Sequence, residues 1–202
     1  MTQLQPYKMS FATGGLLINE SIELARLHVS GESWDDTIRR AIDEGTTALP
    51  KAESNRRILR EISHRLLTLT DAERGFLIEE ADRADKQALL WLATCRTYRF
   101  VREFAIEVIR ERYLSYQHDL PIESFDILFN AKAEWDEHLA ELTLSTRLKL
   151  RQVLFRIMRE AGVISEAGQI QAALLSSQLK AMIEENAPSD LALFPGISVD
   201  GV

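Results

Sequence analysis

The 202-residue chain has a single cysteine, Cys95, which excludes an internal disulfide framework, and no Cys/His group has zinc-ligand spacing. A reducing compartment is expected. Nine glycines and five prolines are few for this length, so breaks between elements should be sparse. No apolar run approaches the roughly 20 residues that cross a bilayer. The most apolar window, Ala88 to Cys95, is followed at once by Arg96, Arg99 and Arg102 and reads as a buried core helix. MTQLQPYKMS lacks the basic region, apolar stretch and small-residue cleavage site of a secretory signal. A cytoplasmic protein with no membrane partner is expected.

Catalytic signatures are missing too. FATGGLLINES has neither the GxxxxGK[ST] nor the GxGxxG spacing of a phosphate loop, so Gly14 and Gly15 are predicted to permit a tight turn. In EWDEH, Glu134 and His138 would lie one helical turn apart, but no HExxH motif or further ligand supports a metal, and a solvated helix face accounts for the pattern. Cys95 has no neighbouring base and reads as a small buried hydrophobe. These absences predict no enzymatic activity, no cofactor, no metal and no small-molecule substrate.

What is present is helical. Apolar residues make up 46% of the chain and recur at three- and four-residue spacing, which predicts an all-α fold. The first helix runs through Leu17, Ile22, Leu24 and Ala25 to a stop at Gly31. Ser33 caps a second that ends at Gly45, and Leu49-Pro50 marks a boundary before a third over about 54–67. Thr70 and Glu73 form a capping box for a fourth. A long helical pattern over 85–117 carries no Gly or Pro and is expected to contain a kink or break. Leu120-Pro121 interrupts it, a helix through Phe125 and Trp135 follows, and Ser145 caps a helix ending before Gly162. Residues 163–171 read equally as a minor β-hairpin, a wing turning near Gly168, or as a loop leading to a last helix around 173–185. Leu191, Leu193, Phe194 and Ile197 could dock the tail. A division into two small helical subdomains, 1–84 and 85–202, is expected, the second opening with the long central helix.

The charge is acidic overall, with 31 carboxylates against 24 Lys and Arg, a net charge of -7. Yet Thr146 to Arg159 holds five basic residues and no acidic one. At 100° per residue, Lys149, Gln152, Arg156 and Arg159 group opposite the apolar arc of Leu150, Val153, Leu154, Ile157 and Met158. Arg56, Arg57, Arg60 and His64 form a similar face opposite Ile58, Leu59, Ile62 and Leu66. Such faces suit phosphate contacts, although basic faces that are merely solvated or paired with nearby carboxylates have the same pattern. The acidic balance restricts any nucleic-acid contact to local patches. Between Arg96 and Arg112, interleaved Glu103, Glu107 and Glu111 predict internal pairing instead.

Five ordered blocks carry a resemblance: YKMSFATGGLLINESIELARL, SWDDTIRRAI, NRRILREISHRLLTL, LLWLATCRTYRFVREFAIEVIRERY and KLRQVLFRIMREAGVIS. Together they resemble the BrxA family of BREX phage-defence systems over most of the chain. The resemblance implies a small helical protein, similar in architecture to the antitermination factor NusB, that is not catalytic, binds double-stranded DNA and acts beside other BREX proteins. The family is sometimes labelled as inner-membrane, which the hydropathy here contradicts. The resemblance brings no list of DNA contacts, so Arg56, Arg57, Arg60, His64, Lys149, Gln152, Arg156 and Arg159 stand as candidates from helical faces alone. The alternatives are docking of other BREX subunits and regulation of defence-gene transcription, the latter requiring sequence-selective binding.

Overall fold

A computed structural model describes residues 7–12, 14–45 and 52–198. The Leu49-Pro50 boundary lies outside them, as does most of the segment read for a secretory signal. The described residues form eleven α-helices and no strand. A 3₁₀ turn, Ser10–Ala12, precedes α1 (Ile18–Leu27), α2 (Trp34–Asp43), α3 (Ala52–Leu66), α4 (Asp71–Glu79) and α5 (Arg83–Thr97). Then come α6 (Arg99–Glu103), a π-helical stretch (Phe104–Arg110) and α7 (Glu111–Leu114). The chain continues through α8 (Glu123–Ala133), α9 (Glu137–Ala140), α10 (Leu144–Glu160), α11 (Ser177–Asn186) and a 3₁₀ tail (Pro188–Leu193).

Local chemistry sets most of these boundaries. The Ser33 side chain accepts from the Asp36 amide at the start of α2. Thr70 and Glu73 make the full capping box of α4. Asp82 and Ser176 cap α5 and α11 in the same way. Each such cap contributes about 1 kcal/mol by satisfying an amide the helix leaves open. One cap is displaced from the expectation: α10 starts at Leu144 with Thr143 accepting from the Thr146 amide, which places Ser145 inside the first turn.

The centre of the molecule is α5, buried over Ala88–Cys95, which packs against α1, α3, α4, α10 and the 3₁₀ tail. Burial pushes the Cys95 thiol well above its usual range, so it remains protonated and apolar. The long helical pattern breaks at Tyr98, whose φ of -118° and ψ of 103° are extended. Its ring is fully buried and its hydroxyl lies 2.5 Å from the Glu61 carboxylate of α3. That carboxylate also accepts from Arg65 Nε at 2.8 Å, and Arg65 Nη1 donates to the Gly15 carbonyl at 2.9 Å. The break therefore trades one turn of helix for a fully buried polar junction between α3, α5 and the segment before α1.

A second junction ties the tail to the bundle. Arg96 donates to both oxygens of Glu73 and to Asp190, while Arg102 also reaches Asp190. Leu191, Leu193 and Phe194 are buried beside it, and Trp91 Nε1 donates to the Leu193 carbonyl at 3.0 Å. The tail is docked, as the apolar spacing suggested. In the hairpin region the pairing stops at single antiparallel bridges, Ile164 with Ile170 and Asp119 with Gln169. Gly168 takes φ +80° at the turn, and its carbonyl accepts from the Leu120 amide. The loop is thus pinned to 118–120, and buried Ile164 and Ile170 point inward, so it does not project as a free wing.

The α1–α2 connection is closed by Glu32, whose carboxylate accepts from the Val29 amide, the Thr37 hydroxyl and Arg40. The backbone bond from Val29, then those from Thr37 and Arg40, hold its pKa at about 2 against an ordinary 4.5. A depressed carboxylate stabilises above its unfolded value and loses that contribution as pH falls toward the folded one. Native protein should therefore exceed Glu32→Gln in urea midpoint at pH 6, with the gap closing between about pH 4.5 and 2. A gap unchanged at pH 3 would show that Glu32 contributes by shape and not by charge.

Candidate nucleic-acid interface

Most of the cations in this acidic protein are neutralised internally. Besides Arg65, Arg96 and Arg102, the structure pairs Arg40 with Glu32, Arg74 with Asp71, Arg99 with Glu103 and Arg112 with Asp119. Lys132 bridges Glu103 and Glu107 at 3.0 and 2.7 Å. The pairing expected between Arg96 and Arg112 thus exists at Arg99, while Arg96 and Arg102 turn to carboxylates of other elements.

Against that background α3 stands out. It packs against α1, α2 and α5 with Leu59, Ile62 and Leu66 buried, which leaves Arg56, Arg57, Arg60 and His64 exposed on the far side. The side chains of Arg56, Arg57 and Arg60 have no hydrogen bond or ion pair among the described residues. Glu61, which appears in sequence to dilute this face, is buried and holds Tyr98 and Arg65. Lys8 extends the face, its Nζ 3.5 Å from His64 Nδ1. Arg39 of α2 joins Arg56, Arg60 and Asp35 around a cleft of about 260 Å³.

The acid-free stretch on α10 divides into two parts. Arg147 and Arg151 converge on Asp126 of α8, and Arg147 also reaches Asn130 and covers the Phe129 ring. These two cations hold α8 against α10, so the carboxylate that balances them lies about twenty residues earlier. Lys149 and Gln152 are exposed without a partner among the described residues. Arg156 is 65% exposed and donates to Glu160 one turn on, at 2.9 Å. Arg159 is half-buried, and its closest carboxylate, Glu166, lies at 3.9 Å.

Around Arg156 and Arg159 opens a cleft of about 470 Å³, to which α1 brings Ile18 and α5 brings Arg83 and Gln87. One wall is fixed by Glu160, which accepts from the Leu16 amide at 2.5 Å and from Gln87 Nε2 through its carbonyl at 2.6 Å. A β-carbon on Gly15 would come within 2.2 Å of Glu160 Oε2, so a side chain there would displace that carboxylate from the Leu16 amide. The expected turn role belongs to Gly14, at φ +77°. Thus Arg56 and Arg60 share one cleft, Arg156 and Arg159 another, and Lys149 lies two turns from Arg156, about 10 Å along α10. Arg83, Arg39 and Lys8 were not legible as members: Arg83 is set among acids in EEADRAD, and the others join only through tertiary contact.

The EWDEH group does not form a shared helical face. Asp136 leaves helical geometry to cap α9, accepting from the Leu139 amide at 2.9 Å, and so separates Glu134 from His138. No helix among the described residues is long and apolar enough to cross a membrane.

Comparison with known proteins locates this arrangement. The profile of the BrxA family matches residues 5–187. The BREX protein BrxA of Bacillus cereus (strain H3081.97) is 28% identical over 167 residues, covering 81% of this chain and 82% of that protein. The BREX protein BrxA of Escherichia coli O9:H4 (strain HS) is 24% identical over 183 residues, covering 88% of this chain and 84% of that protein. In fold, the chain is similar to the crystal structure of an uncharacterized protein from Magnetospirillum magneticum, with TM-score 0.79 and 21% identity, covering 96% of this chain and all of the other.

Proposed function

The chain belongs to the BrxA family, and we propose that, as a component of a BREX phage-defence system, it binds duplex DNA without catalysing a reaction. The observation that carries this reading is that Arg56, Arg57, Arg60 and Lys149 are among the exposed cations left without carboxylates, in a protein that pairs most of its cations. Desolvated or paired arginines stabilise the fold, whereas unpaired exposed ones attract an external anion. The faces on α3 and α10 hold phosphates and read few base edges. Gln152 adds a polar contact beside Lys149.

The test is a fluorescence-anisotropy titration of a labelled duplex between 50 and 200 mM salt. Each phosphate neutralised contributes a slope of about -0.9 in log affinity against log salt, so a footprint of four to six contacts gives about -4 to -5. Replacing Lys149, Arg156 and Arg159 together by glutamate should reduce the steepness of that slope by about 2, less than three full contacts because Arg156 is already paired. Binding that is absent at 50 mM salt overturns the reading.

A second reading, docking of other BREX proteins, is favoured by Trp135, which is 88% exposed between Glu134 and Asp136 in a surface that repels DNA. Exposed tryptophans are enriched among residues that anchor protein interfaces. The two readings use different faces, and sequence-selective binding in the titration would point instead to control of defence-gene transcription.

A further inference from the structure

The cleft between α1, the first turn of α5 and the end of α10 gathers three guanidinium groups from two helices that are more than seventy residues apart in sequence. Arg83 stands at the first position of α5, is exposed, and has no hydrogen bond or ion pair among the described residues. Arg159 has only the distant Glu166, whose side chain is 95% exposed. A surface pair of that kind contributes little and yields readily to a competing anion. Glu160, the remaining carboxylate in the cleft, is committed to the Leu16 amide and Arg156 Nε. Its charge therefore offsets Arg156, and with Glu166 also on the lining the three arginines exceed the two carboxylates by one charge.

Geometry selects the ligand class. Arginine presents a planar fork of N–H donors that matches the oxygens of a phosphate or carboxylate, and several forks around one opening favour the tetrahedral anion with more acceptors. The volume, about 470 Å³, admits a phosphate group with its ester substituents, and Ile18 closes one side without adding charge. We propose that this cleft is a phosphate-binding site in which Arg83 acts with Arg156 and Arg159. The phosphate belongs to the duplex backbone if the DNA-binding reading above holds, on which that source rests, or to a free phosphorylated molecule if it does not.

The experiment compares native protein with Arg83→Ala, Arg83→Lys and, as a matched loss of one charge elsewhere, Lys180→Ala. Two probes are used at constant ionic strength: a labelled duplex read by anisotropy, and inorganic phosphate replacing chloride, read by the thermal midpoint. A ligand that binds the native state raises that midpoint. Arg83→Ala is expected to weaken duplex binding about 5- to 10-fold and to lower the salt slope by about 1. It should also abolish the rise in midpoint caused by phosphate. Arg83→Lys should recover the salt slope but less of the affinity, since it keeps the charge and loses the fork, and Lys180→Ala should match native protein.

If native protein binds no duplex while phosphate raises its midpoint in an Arg83-dependent way, the DNA reading fails and the site stands as one for a free phosphate. If the duplex binds native protein and Arg83→Ala equally, and phosphate shifts neither midpoint, the site is overturned and the DNA reading survives. Equal losses in Arg83→Ala and Lys180→Ala likewise overturn it, because they report net charge alone.

Discussion

Arg96→Ala is expected to lower the stability of the protein by about 3–5 kcal/mol, the cost of leaving buried charge without its counter-ion. Arg96 joins three separate pieces of the chain: it donates to both oxygens of Glu73 at 2.7 and 3.0 Å, to Asp190 at 2.7 Å and to the Thr68 carbonyl at 3.0 Å. Its side chain is 14% exposed, and those of Glu73 and Asp190 are 0% and 5% exposed. Burial alone would lower its pKa, but its hydrogen bonds to the Glu73 and Asp190 carboxylates outweigh burial and raise it, so the guanidinium stays charged at any working pH. After the substitution Asp190 keeps Arg102, while Glu73 retains only the Thr70 amide of its capping box. Guanidinium unfolding read by circular dichroism measures the loss. Arg96→Lys should recover less than half, because a single ammonium cannot bond both Glu73 oxygens and Asp190 in the same geometry. A loss below about 1 kcal/mol would mean that water reaches Glu73 and replaces the arginine, contrary to its burial.

That junction also marks where sequence reading stops. Signals that act within one turn were legible: Ser33 before α2, the Thr70–Glu73 box before α4, and the apolar stripes that make the fold all-α. The break at Tyr98 was expected only as some interruption between 85 and 117, since TCRTYRFVRE contains neither glycine nor proline. Its cause is a carboxylate 37 positions away on α3. The same limit divided the basic stretch of α10. A helical wheel places Arg147 and Arg151 beside the apolar arc but cannot supply Asp126, and a scan for nearby acids cannot remove Glu61 from the α3 face by burying it. Arg83 illustrates the converse, a cation concealed by acidic neighbours in sequence that the start of α5 turns into a basic cleft. Faces belonging to one helix were legible, and sites assembled from several were not.

The largest effect on DNA binding is expected from the α3 face. Replacing Arg56, Arg57 and Arg60 together by glutamate should weaken duplex affinity about 100-fold or more at 50 mM salt and reduce the steepness of the salt slope by about 2.7, one contact of 0.9 for each arginine. The corresponding change on α10 should be smaller, because Arg156 already shares its charge with Glu160, whereas none of the three α3 arginines has a carboxylate among the described residues. Reversal also acts on neighbours: the carboxylates introduced at positions 56 and 60 would share with Asp35 the cleft that Arg39 lines, adding repulsion to the loss of attraction. The fold should not change, since exposed positions without partners tolerate substitution within about 0.5 kcal/mol, and an unfolding midpoint equal to that of native protein makes the binding result interpretable. Adding salt distinguishes lost contacts from lost shape, because the affinities of native and variant protein should converge as phosphate contacts are screened. If the variant keeps both affinity and slope, the unpaired arginines of α3 are a solvated surface, and duplex binding must rest on Lys149 and the arginine cleft at the end of α10.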